Sequence, residues 1–364
     1  MVTSVTTDVV SLLRLAKSKS ASDLHLVAFS PPLFRVDGLL KPATGMEPLT
    51  PNDTRSCFEQ IATEKQKSDF YQHLELDFGY GIEDVGRLRC NVAMQRGTVS
   101  MVIRLLPMAI ATIDDLKLPP VCKELVLRRS GMIVVSGPTG SGKSTTLAAM
   151  LDHLNNTETR RVVTIEDPVE YVYSSRKCTF TQRELGSDTF SFAEALKHVL
   201  RQDPDVILIG EMRDPDTAAA ALTIAETGHL VLTTGHAGSA PGAMERIIDL
   251  FPIDERALAQ SRLSTLILGV LCQALVPLTK EAGRIVATEI MLANSAVRNL
   301  IREGKIFQLP NAIRTGANDG MRLLDQSLID FYRKGTIDRQ SLFSFANEPE
   351  HLEDLLQLDG RSIS

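Results

Sequence analysis

One short loop, rich in glycine and ending in Lys-Ser, limits what this chain can fold into more than any other feature. It matches the pattern G-x-x-x-x-G-K-[ST] and consists of Gly137, Pro138, Thr139, Gly140, Ser141, Gly142, Lys143 and Ser144. The run from Met132 to Val135 predicts a strand before it, and the apolar residues Leu147, Met150, Leu151 and Leu154 predict a helix after it. A loop between a strand and the start of a helix is the setting in which this pattern binds phosphate.

The residue types give each part of the loop a chemical task. Glycines let backbone N–H groups approach phosphate oxygens without a Cβ in the way, and the helix N-terminus adds partial positive charge. Lys143 is expected to reach the terminal phosphates, and the Ser144 hydroxyl is expected to coordinate Mg²⁺. The sequence therefore predicts a nucleoside triphosphate site that extends through Thr145.

Two acidic positions follow apolar strands. The run from Val206 to Ile209 ends at Gly210-Glu211, as a Walker B strand ends in an acid, although glycine occupies the usual aspartate position. Glu166 follows the strand-like run from Arg161 to Ile165, and we expect it to orient or deprotonate the attacking water. For each acid, a solvated position just after a strand is the alternative interpretation.

Two histidines flank the next predicted strand. His236 follows its carboxyl end and could sense a γ-phosphate, although a structural role is the favoured interpretation for this residue taken alone. His229, at the start of the strand, is expected to be structural.

Phosphoryl transfer also needs cationic charge, which is often an arginine from a neighbouring subunit. Arg87, Arg89, Arg96 and Arg104 cluster on strand-like segments in the first third of the chain. Most surface arginines are simply solvated, and this is the alternative interpretation for each of the four.

The order of elements predicts two domains. Apolar runs that alternate with helical periods from Gly131 onward predict an α/β domain with a parallel sheet. Short alternating segments in the first third predict a smaller antiparallel α+β domain. Prolines around a short polar stretch indicate a linker, so we expect domains at residues 1–108 and 121–364, joined by residues 109–120.

Within the first domain, we expect a hairpin and a helix. The hairpin is formed by the runs 23–27 and 33–36 and ends at Asp37-Gly38, and the helix extends from Pro51 to about Gln72.

Three further expectations concern the second domain. Ser191 and Glu194 predict a capping box, followed by a buried stripe of Phe192, Leu196, Val199 and Leu200. The uncharged segment 263–279 is too short and too polar for a membrane span, and a buried core helix is favoured. Beyond about Gly283 the chain is expected to be mostly helical.

Composition excludes several classes of protein. A formal net charge of -6 disfavours an overall basic, nucleic-acid-binding surface. The five cysteines are widely spaced and lack a C-x-x-C pair, which fits a reducing cytosol better than a disulfide framework or a structural zinc site. With no signal-peptide pattern at the N-terminus, we expect a cytoplasmic protein that does not insert into a membrane.

Four segments in this order resemble the secretion ATPase superfamily of bacterial type II secretion and type IV pili: GPTGSGKSTT, TIEDPVEY, LRQDPDVILIGEMRD and AETGHLVLTTGHAGSA. The resemblance identifies them with the Walker A, Asp box, Walker B and His box of that superfamily. It implies functional roles for Glu166, Glu211 and His236, and the glycine at position 210 is also similar to the superfamily pattern.

The closer resemblance is to PilT-like retraction ATPases, from about Ser20 to Leu342. SDLHL at 22–26 and FRVDG at 34–38 resemble the start of their PAS-like N-terminal domain, and AVRNLIRE at 296–303 resembles their AIRNLIRE motif. The four-cysteine insertion typical of assembly ATPases is not found in this sequence. One departure is that Thr234-Gly235-His236-Ala237 stands where the family usually has T-L-H-T, so a neighbouring hydroxyl is missing.

This resemblance implies a RecA-like P-loop ATPase domain, preceded by the PAS-like domain and followed by C-terminal helices. It implies a homo-hexameric ring that uses ATP and Mg²⁺ to power pilus retraction. The ring would be peripheral to the inner membrane through a platform protein, and other pilus ATPases are further partners that the resemblance suggests. By analogy, Arg89 and Arg104 would reach a nucleotide in the ring. The alternatives are an accessory retraction ATPase, an assembly or type II secretion ATPase, a nucleic-acid translocase and a regulatory module without turnover.

Overall fold

The chain divides by its contacts into two compact units. A computed structural model describes residues 7–36, 38–106, 109–280, 283–350 and 352. The first unit contains the described residues up to Ala109 together with Pro168–Val172, and the second contains Ile110–Asp167 and the described residues from Tyr173 onward. Most of the expected linker, residues 109–120, therefore groups with the second unit, where the Thr112 hydroxyl donates to Asp115 over 2.6 Å.

The first unit is an antiparallel sheet with helices packed against it. Its described strands follow the order β3-β2-β1-β6-β5-β4, with every neighbouring pair antiparallel. They are β1 (Asp23–Leu26), β2 (Leu33–Val36), β3 (Leu39–Pro42), β4 (Glu75–Ile82), β5 (Gly86–Gln95) and β6 (Thr98–Leu105). The helices are α1 (Val9–Ser18), α2 (Pro51–Ile61) and α3 (Glu64–His73). The predicted α+β domain and its first hairpin are confirmed, while Asp37 lies outside the described residues.

The single helix expected from Pro51 to about Gln72 is wrong, because two helices occupy this segment. The first ends at Ile61, and Thr63 starts the second by accepting a hydrogen bond from the Gln66 N–H. The Gln66 side chain in turn accepts from the Thr63 N–H over 2.9 Å. This reciprocal capping box satisfies the new helix start and allows the chain to turn between the two helices.

The second unit is built on a mostly parallel sheet. Its described strands follow the order β13-β12-β7-β11-β10-β8-β9, in which only the β12–β13 pair is antiparallel. The strands are β7 (Gly131–Ser136), β8 (Arg161–Glu166), β9 (Thr179–Glu184), β10 (Val206–Ile209), β11 (Leu230–Thr234), β12 (Ile267–Pro277) and β13 (Arg284–Leu292). The predicted α/β class is confirmed.

The second unit also contains helices, which precede, connect or follow its strands in the sequence. They are α4 (Val121–Val126), α5 (Lys143–Thr157), α6 (Phe192–Val199), α7 (Pro215–Glu226), α8 (Ala240–Asp249), α9 (Arg256–Leu266), α10 (Ser295–Arg302), α11 (Leu309–Thr315), α12 (Leu324–Arg333) and α13 (Arg339–Phe345). The main core lies between these helices and the buried strands, with Val163, Ile207, Val231 and Leu222 at its centre.

The core helix expected at 263–279 is wrong, because most of that segment is strand β12. Helix α9 ends at Leu266, and β12 then pairs with β7 on one side and β13 on the other. A strand buried on both faces has a continuous apolar run, which periodicity cannot distinguish from a buried helix. The mostly helical tail beyond Gly283 likewise begins with a strand, β13. No helix in the described part of the chain is long and apolar enough to cross a bilayer.

Helix α6 departs from its expected capping and stripe. The Ser191 hydroxyl accepts from the Glu194 N–H as expected, but the Glu194 carboxylate binds Lys197 instead of completing a capping box. Leu196 and Val199 are buried, whereas Phe192 is half-buried and Leu200 is exposed. Leu200 turns away from the core because the helix tightens into a 3₁₀ turn after Val199.

All five cysteines are buried free thiols. Burial raises the pKa of Cys57, Cys90 and Cys122 to about 12 and raises the pKa of Cys178 and Cys272 as well, the latter to well above its ordinary value. Because the thiolate is the reactive form, burial and a raised pKa both suppress reaction.

We therefore expect the folded protein to resist thiol reagents. At pH 8, a thiol with a pKa of about 12 is ionised in only about one molecule in ten thousand. An absorbance assay with a disulfide reagent should detect no rapidly reacting thiol in the native protein and five after unfolding in guanidinium. Glutathione under the same conditions is the control, and one fast thiol in the folded chain would contradict the packing described here.

Candidate active site

The parallel pairing of strands brings the predicted site residues to one edge of the second unit's sheet. Ile209 of β10 lies opposite Ile165 of β8 and Thr233 of β11, and Thr234 lies opposite Val135 of β7. The carboxyl ends of these strands are therefore adjacent. The glycine loop, Glu166, Glu211 and His236 all follow those ends, at the edge where open α/β sheets bind ligands.

The glycine loop has the backbone of a phosphate cradle. Three glycines of the loop have positive φ angles, which residues with a Cβ atom rarely adopt: +145° at Gly137, +80° at Gly140 and +88° at Gly142. Gly142 is also the N-cap of α5, so helix N–H groups face the loop. The Lys143 ammonium donates to the carbonyl oxygens of Gly137 and Pro138, at 2.8 and 3.1 Å. The lysine is thus held at the loop.

The first turn of α5 supplies hydroxyl groups to the same cradle. Ser144 and Thr145 are half-buried there, and Pro138 and Thr139 are exposed on the loop. The Ser141 hydroxyl is buried and has no hydrogen-bond partner in the described part of the chain. A buried hydroxyl costs free energy unless it is paired, so the cradle fits a ligand that accepts hydrogen bonds.

Gln273 of β12 lies beneath the loop and holds it from two sides. Its amide nitrogen donates to the carbonyl of Ser141 over 2.7 Å, and its amide oxygen accepts from the Thr146 hydroxyl over 2.9 Å. A Cβ at Gly137 would lie 2.3 Å from the backbone oxygen of Gln273, so only glycine allows this approach. From the sequence, Gln273 counted only as a polar interruption of an apolar run. The lone amide within this run was the one signal in the sequence, and it indicates a buried polar contact without saying where that contact lies.

A cavity of about 600 Å³ opens beside the loop, entirely within the second unit. Ser141, Gly142 and Thr145 line it, together with residues that include Leu116, Leu275 and Thr336. Its volume is typical of small-molecule sites, and its mixed apolar and polar lining would suit a heterocyclic ligand.

Glu166 is a buried carboxylate at the end of β8. Its side chain accepts a hydrogen bond from the Thr164 hydroxyl over 2.6 Å, and the Gln182 amide lies 3.5 Å away. These contacts orient the carboxylate at the sheet edge. The alternative of a fully solvated acid is inconsistent with this burial, since Glu166 is only 8% exposed.

Glycine replaces aspartate at position 210 because the backbones of two strand ends meet there. A Cβ at Gly210 would lie 3.3 Å from the Cα of Glu166 and 3.4 Å from the carbonyl oxygen of Ile165. The Gly210 N–H donates to that same oxygen over 2.8 Å. A side chain at position 210 would therefore require the ends of β8 and β10 to shift by a few tenths of an ångström.

Glu211 and His236 are in contact. The His236 Nε2 atom lies 3.3 Å from a carboxylate oxygen of Glu211, and the Arg213 guanidinium binds the other oxygen. The Thr234 hydroxyl donates to the Gly210 carbonyl, which fixes the end of β11 against that of β10. The histidine and the acid therefore form one cluster, whereas His229 sits at the start of β11 with its Nδ1 atom 3.0 Å from the Thr227 hydroxyl.

The predicted arginines lie in the first unit. Arg89 and Arg104 are directly opposite each other on β5 and β6, and both are exposed. The Arg104 guanidinium donates to buried Asp23 over 2.9 Å. Burial alone would raise the pKa of Asp23, but hydrogen bonds from Arg104 and Ser22 lower it below its ordinary value. Arg87 is half-buried, and Arg96 lies exposed in the β5–β6 turn.

The Gln273 contacts generate a prediction about nucleotide affinity. Gln273→Leu removes the donor to Ser141 and the acceptor for Thr146, which should cost about 1–3 kcal/mol because buried polar groups lose their partners. We expect fluorescent ADP to bind about tenfold or more weakly, as judged by titration. Gln260→Leu is the matched control, since that amide binds the Arg302 carbonyl instead of the loop. Wild-type affinity for ADP in Gln273→Leu would contradict the inference that Gln273 holds the glycine loop in place.

Comparisons with known proteins agree with this geometry. The family described as "Type II/IV secretion system protein" matches residues 87–322. The "Type IV pilus retractation ATPase PilT" of Pseudomonas aeruginosa is 44% identical over 344 residues, which cover 94% of this chain and 99% of that protein. The "Type IV pilus ATPase PilU" of the same organism is 39% identical, with 96% and 92% covered.

A solved structure extends the likeness to three dimensions. The "Crystal Structure of the Pilus Retraction Motor PilT and Bound ADP" matches with a TM-score of 0.90 and 40% identity, over 96% of this chain and 99% of that one. The expected superfamily and the expected fold are therefore confirmed. The chain belongs to the family of type II/IV secretion system ATPases.

Proposed function

We propose that this protein is the ATPase motor that powers retraction of a type IV pilus. The observation that carries the proposal is the sheet edge where a phosphate cradle, a buried glutamate and a Glu–His cluster meet. The near full-length similarity to PilT supports the direction of work.

ATP fits the cradle and the cavity together. Its phosphates would lie on the backbone from Gly137 to Ser144, and its nucleoside would occupy the cavity of about 600 Å³ beside Thr145. Lys143 would exchange its two carbonyl acceptors for the terminal phosphates. Ser144 would hold Mg²⁺, which neutralises charge on the phosphates when it is bound.

The two glutamates have different roles in this proposal. Glu166 is oriented by Thr164 at the sheet edge, a suitable arrangement for positioning or deprotonating water. Glu211 is engaged by Arg213 and His236, so it links the strand end to a histidine that would sense the γ-phosphate. Removing that phosphate would change the surroundings of this charged cluster.

A ring of six subunits would complete the site. Phosphoryl transfer requires cations beyond Lys143, and Arg89 and Arg104 are exposed on the first unit's sheet. In a ring they would reach a nucleotide between subunits. The PAS-like domain, residues 1–108, would turn against the ATPase domain, residues 121–364, and act on an inner-membrane platform protein, keeping the motor cytoplasmic and peripheral to the membrane.

An accessory retraction ATPase is the second candidate. The chain is 39% identical to PilU, a second type IV pilus ATPase, and 44% identical to PilT, and the two matches cover similar shares of this chain, so a role other than that of PilT is the alternative. An accessory motor would work beside another pilus ATPase. The chemistry at the sheet edge would be unchanged, and only the role in the cell would differ.

The catalytic part of the proposal is tested by Lys143→Ala. The substitution removes the positive charge of Lys143 that would stabilise the terminal phosphates. We therefore expect the rate of ATP hydrolysis to fall by about a hundredfold or more in a phosphate-release assay. Lys197→Ala is the control, because that exposed lysine pairs with Glu194 on α6. Full hydrolysis in Lys143→Ala would show that the assigned site is wrong.

The direction of work is tested by deleting the gene in its own organism. Loss of a retraction motor should give cells with excess pili that do not retract, counted by electron microscopy and by a twitching assay. Complementation with the wild-type chain should restore retraction, and complementation with Lys143→Ala should not. Bald cells would indicate an assembly motor, and residual retraction would indicate the accessory role.

A further inference from the structure

The segment around His236 is fastened to the strand that leads into the glycine loop. Ser136 is the last residue of β7, is fully buried, and directly precedes Gly137. Its hydroxyl donates to the carbonyl oxygen of Ala237 over 2.7 Å. One side chain thus joins the entrance of the phosphate cradle to the residue that follows His236.

Gly235 makes room for this hydroxyl. A Cβ at position 235 would lie 2.9 Å from the Ser136 Oγ atom and 3.4 Å from the Ser136 Cβ atom. The Gly235 N–H donates to the Val135 carbonyl over 2.9 Å, so the backbone here cannot move away from β7 without breaking that bond. Any side chain at position 235 would therefore press on the Ser136 hydroxyl.

A second anchor holds the far end of the same segment. The Glu289 carboxylate of β13 accepts from the Ala240 N–H over 2.6 Å and from the Leu324 N–H over 3.3 Å. Glu289 is buried, and this burial raises the pKa of its carboxyl although the two N–H groups oppose the shift. Residues 237–240 are consequently fixed at both ends, at Ala237 by Ser136 and at Ala240 by Glu289.

We propose that Ser136, in the space left by Gly235, is a positioning residue that holds His236 in register with the phosphate cradle. The inference rests on the proposed role of His236. The family pattern usually places a leucine before the histidine and a hydroxyl-bearing threonine after it, whereas this chain has Gly235 and Ala237. In this chain the Ser136 hydroxyl, from the neighbouring strand, binds the backbone carbonyl of Ala237, and Gly235 leaves the space for it.

A double-mutant cycle tests whether Ser136 acts through His236. Ser136→Ala leaves the cradle residues intact but frees the Ala237 carbonyl, and we expect the kcat for ATP hydrolysis to fall about five- to tenfold. The dissociation constant for fluorescent ADP should stay within about twofold of wild type, since the cradle is unchanged. In a His236→Ala background, Ser136→Ala should change kcat by less than about twofold.

Gly235→Ala gives an independent variant that keeps the serine. The added methyl group should push the hydroxyl off Ala237 and lower kcat as Ser136→Ala does, and combining the two changes should lower it little further. Gly238→Ala is the matched control in the same loop, because the nearest atom to a Cβ there is 3.9 Å away. It should leave kcat unchanged. Melting temperatures identify any variant that fails to fold, in which case the other variant decides.

Three results would overturn the proposal. These are a weaker ADP affinity with unchanged kcat in Ser136→Ala, additive effects of Ser136→Ala and His236→Ala, or full activity in Gly235→Ala. If His236→Ala hydrolyses ATP normally while Lys143→Ala does not, this inference fails and the proposed motor function stands. Hydrolysis that survives Lys143→Ala is the separate result that removes the function itself.

Discussion

Parallel pairing within the second unit is the constraint on which the site depends. Because β12, β7, β11, β10 and β8 run in one direction, their carboxyl ends crowd together along a single edge. The crowding is resolved by three glycines. Gly137 admits the backbone of Gln273, Gly210 admits that of Glu166, and Gly235 admits the hydroxyl of Ser136. Each glycine thus marks a place where one strand end touches its neighbour, and a Cβ at any of them would disturb two elements at once.

The glycine loop could be predicted from the sequence because its signal is local. Phosphate binding needs a strand, a flexible backbone, a lysine and a helix start in immediate succession, and all four are adjacent in the chain. The placement of Glu166, Glu211 and His236 at one edge also followed, since residues after consecutive parallel strands must share that edge. Gln273 could not be placed in this way, because its role depends on β12 pairing with β7, and the apolar run around it fits a buried helix equally well. The break between α2 and α3 is different, since the Thr63 and Gln66 capping box was visible in the sequence.

Two glycines that depart from the expected motifs, Gly210 and Gly235, lie where neighbouring strand ends are in close contact. In a sequence, the missing Walker B aspartate and the missing hydroxyl beside His236 look like lost functional groups. In the structure, a Cβ at Gly210 would lie 3.3 Å from the Cα atom of Glu166, and a Cβ at Gly235, the residue before His236, would lie 2.9 Å from the Ser136 Oγ atom. Other polar residues lie close to both positions: Glu166 lies beside Gly210, and Ser136 lies beside Gly235. The polar groups at this edge therefore come from several adjacent strand ends, and no single motif contains them all.

The arginine pair on the first unit has an electrostatic cost. Like charges directly opposite each other on antiparallel strands destabilise a sheet, and Arg89 faces Arg104 in that way. Asp23 offsets the charge of Arg104, its carboxylate being held ionised by the same guanidinium. No carboxylate in the described part of the chain forms an ion pair with Arg89, whose side chain is exposed. A phosphate delivered by a neighbouring subunit would supply the missing countercharge. Arg104 is thus paired with Asp23 within the sheet, whereas the charge of Arg89 is the one that the proposed intersubunit contact would neutralise.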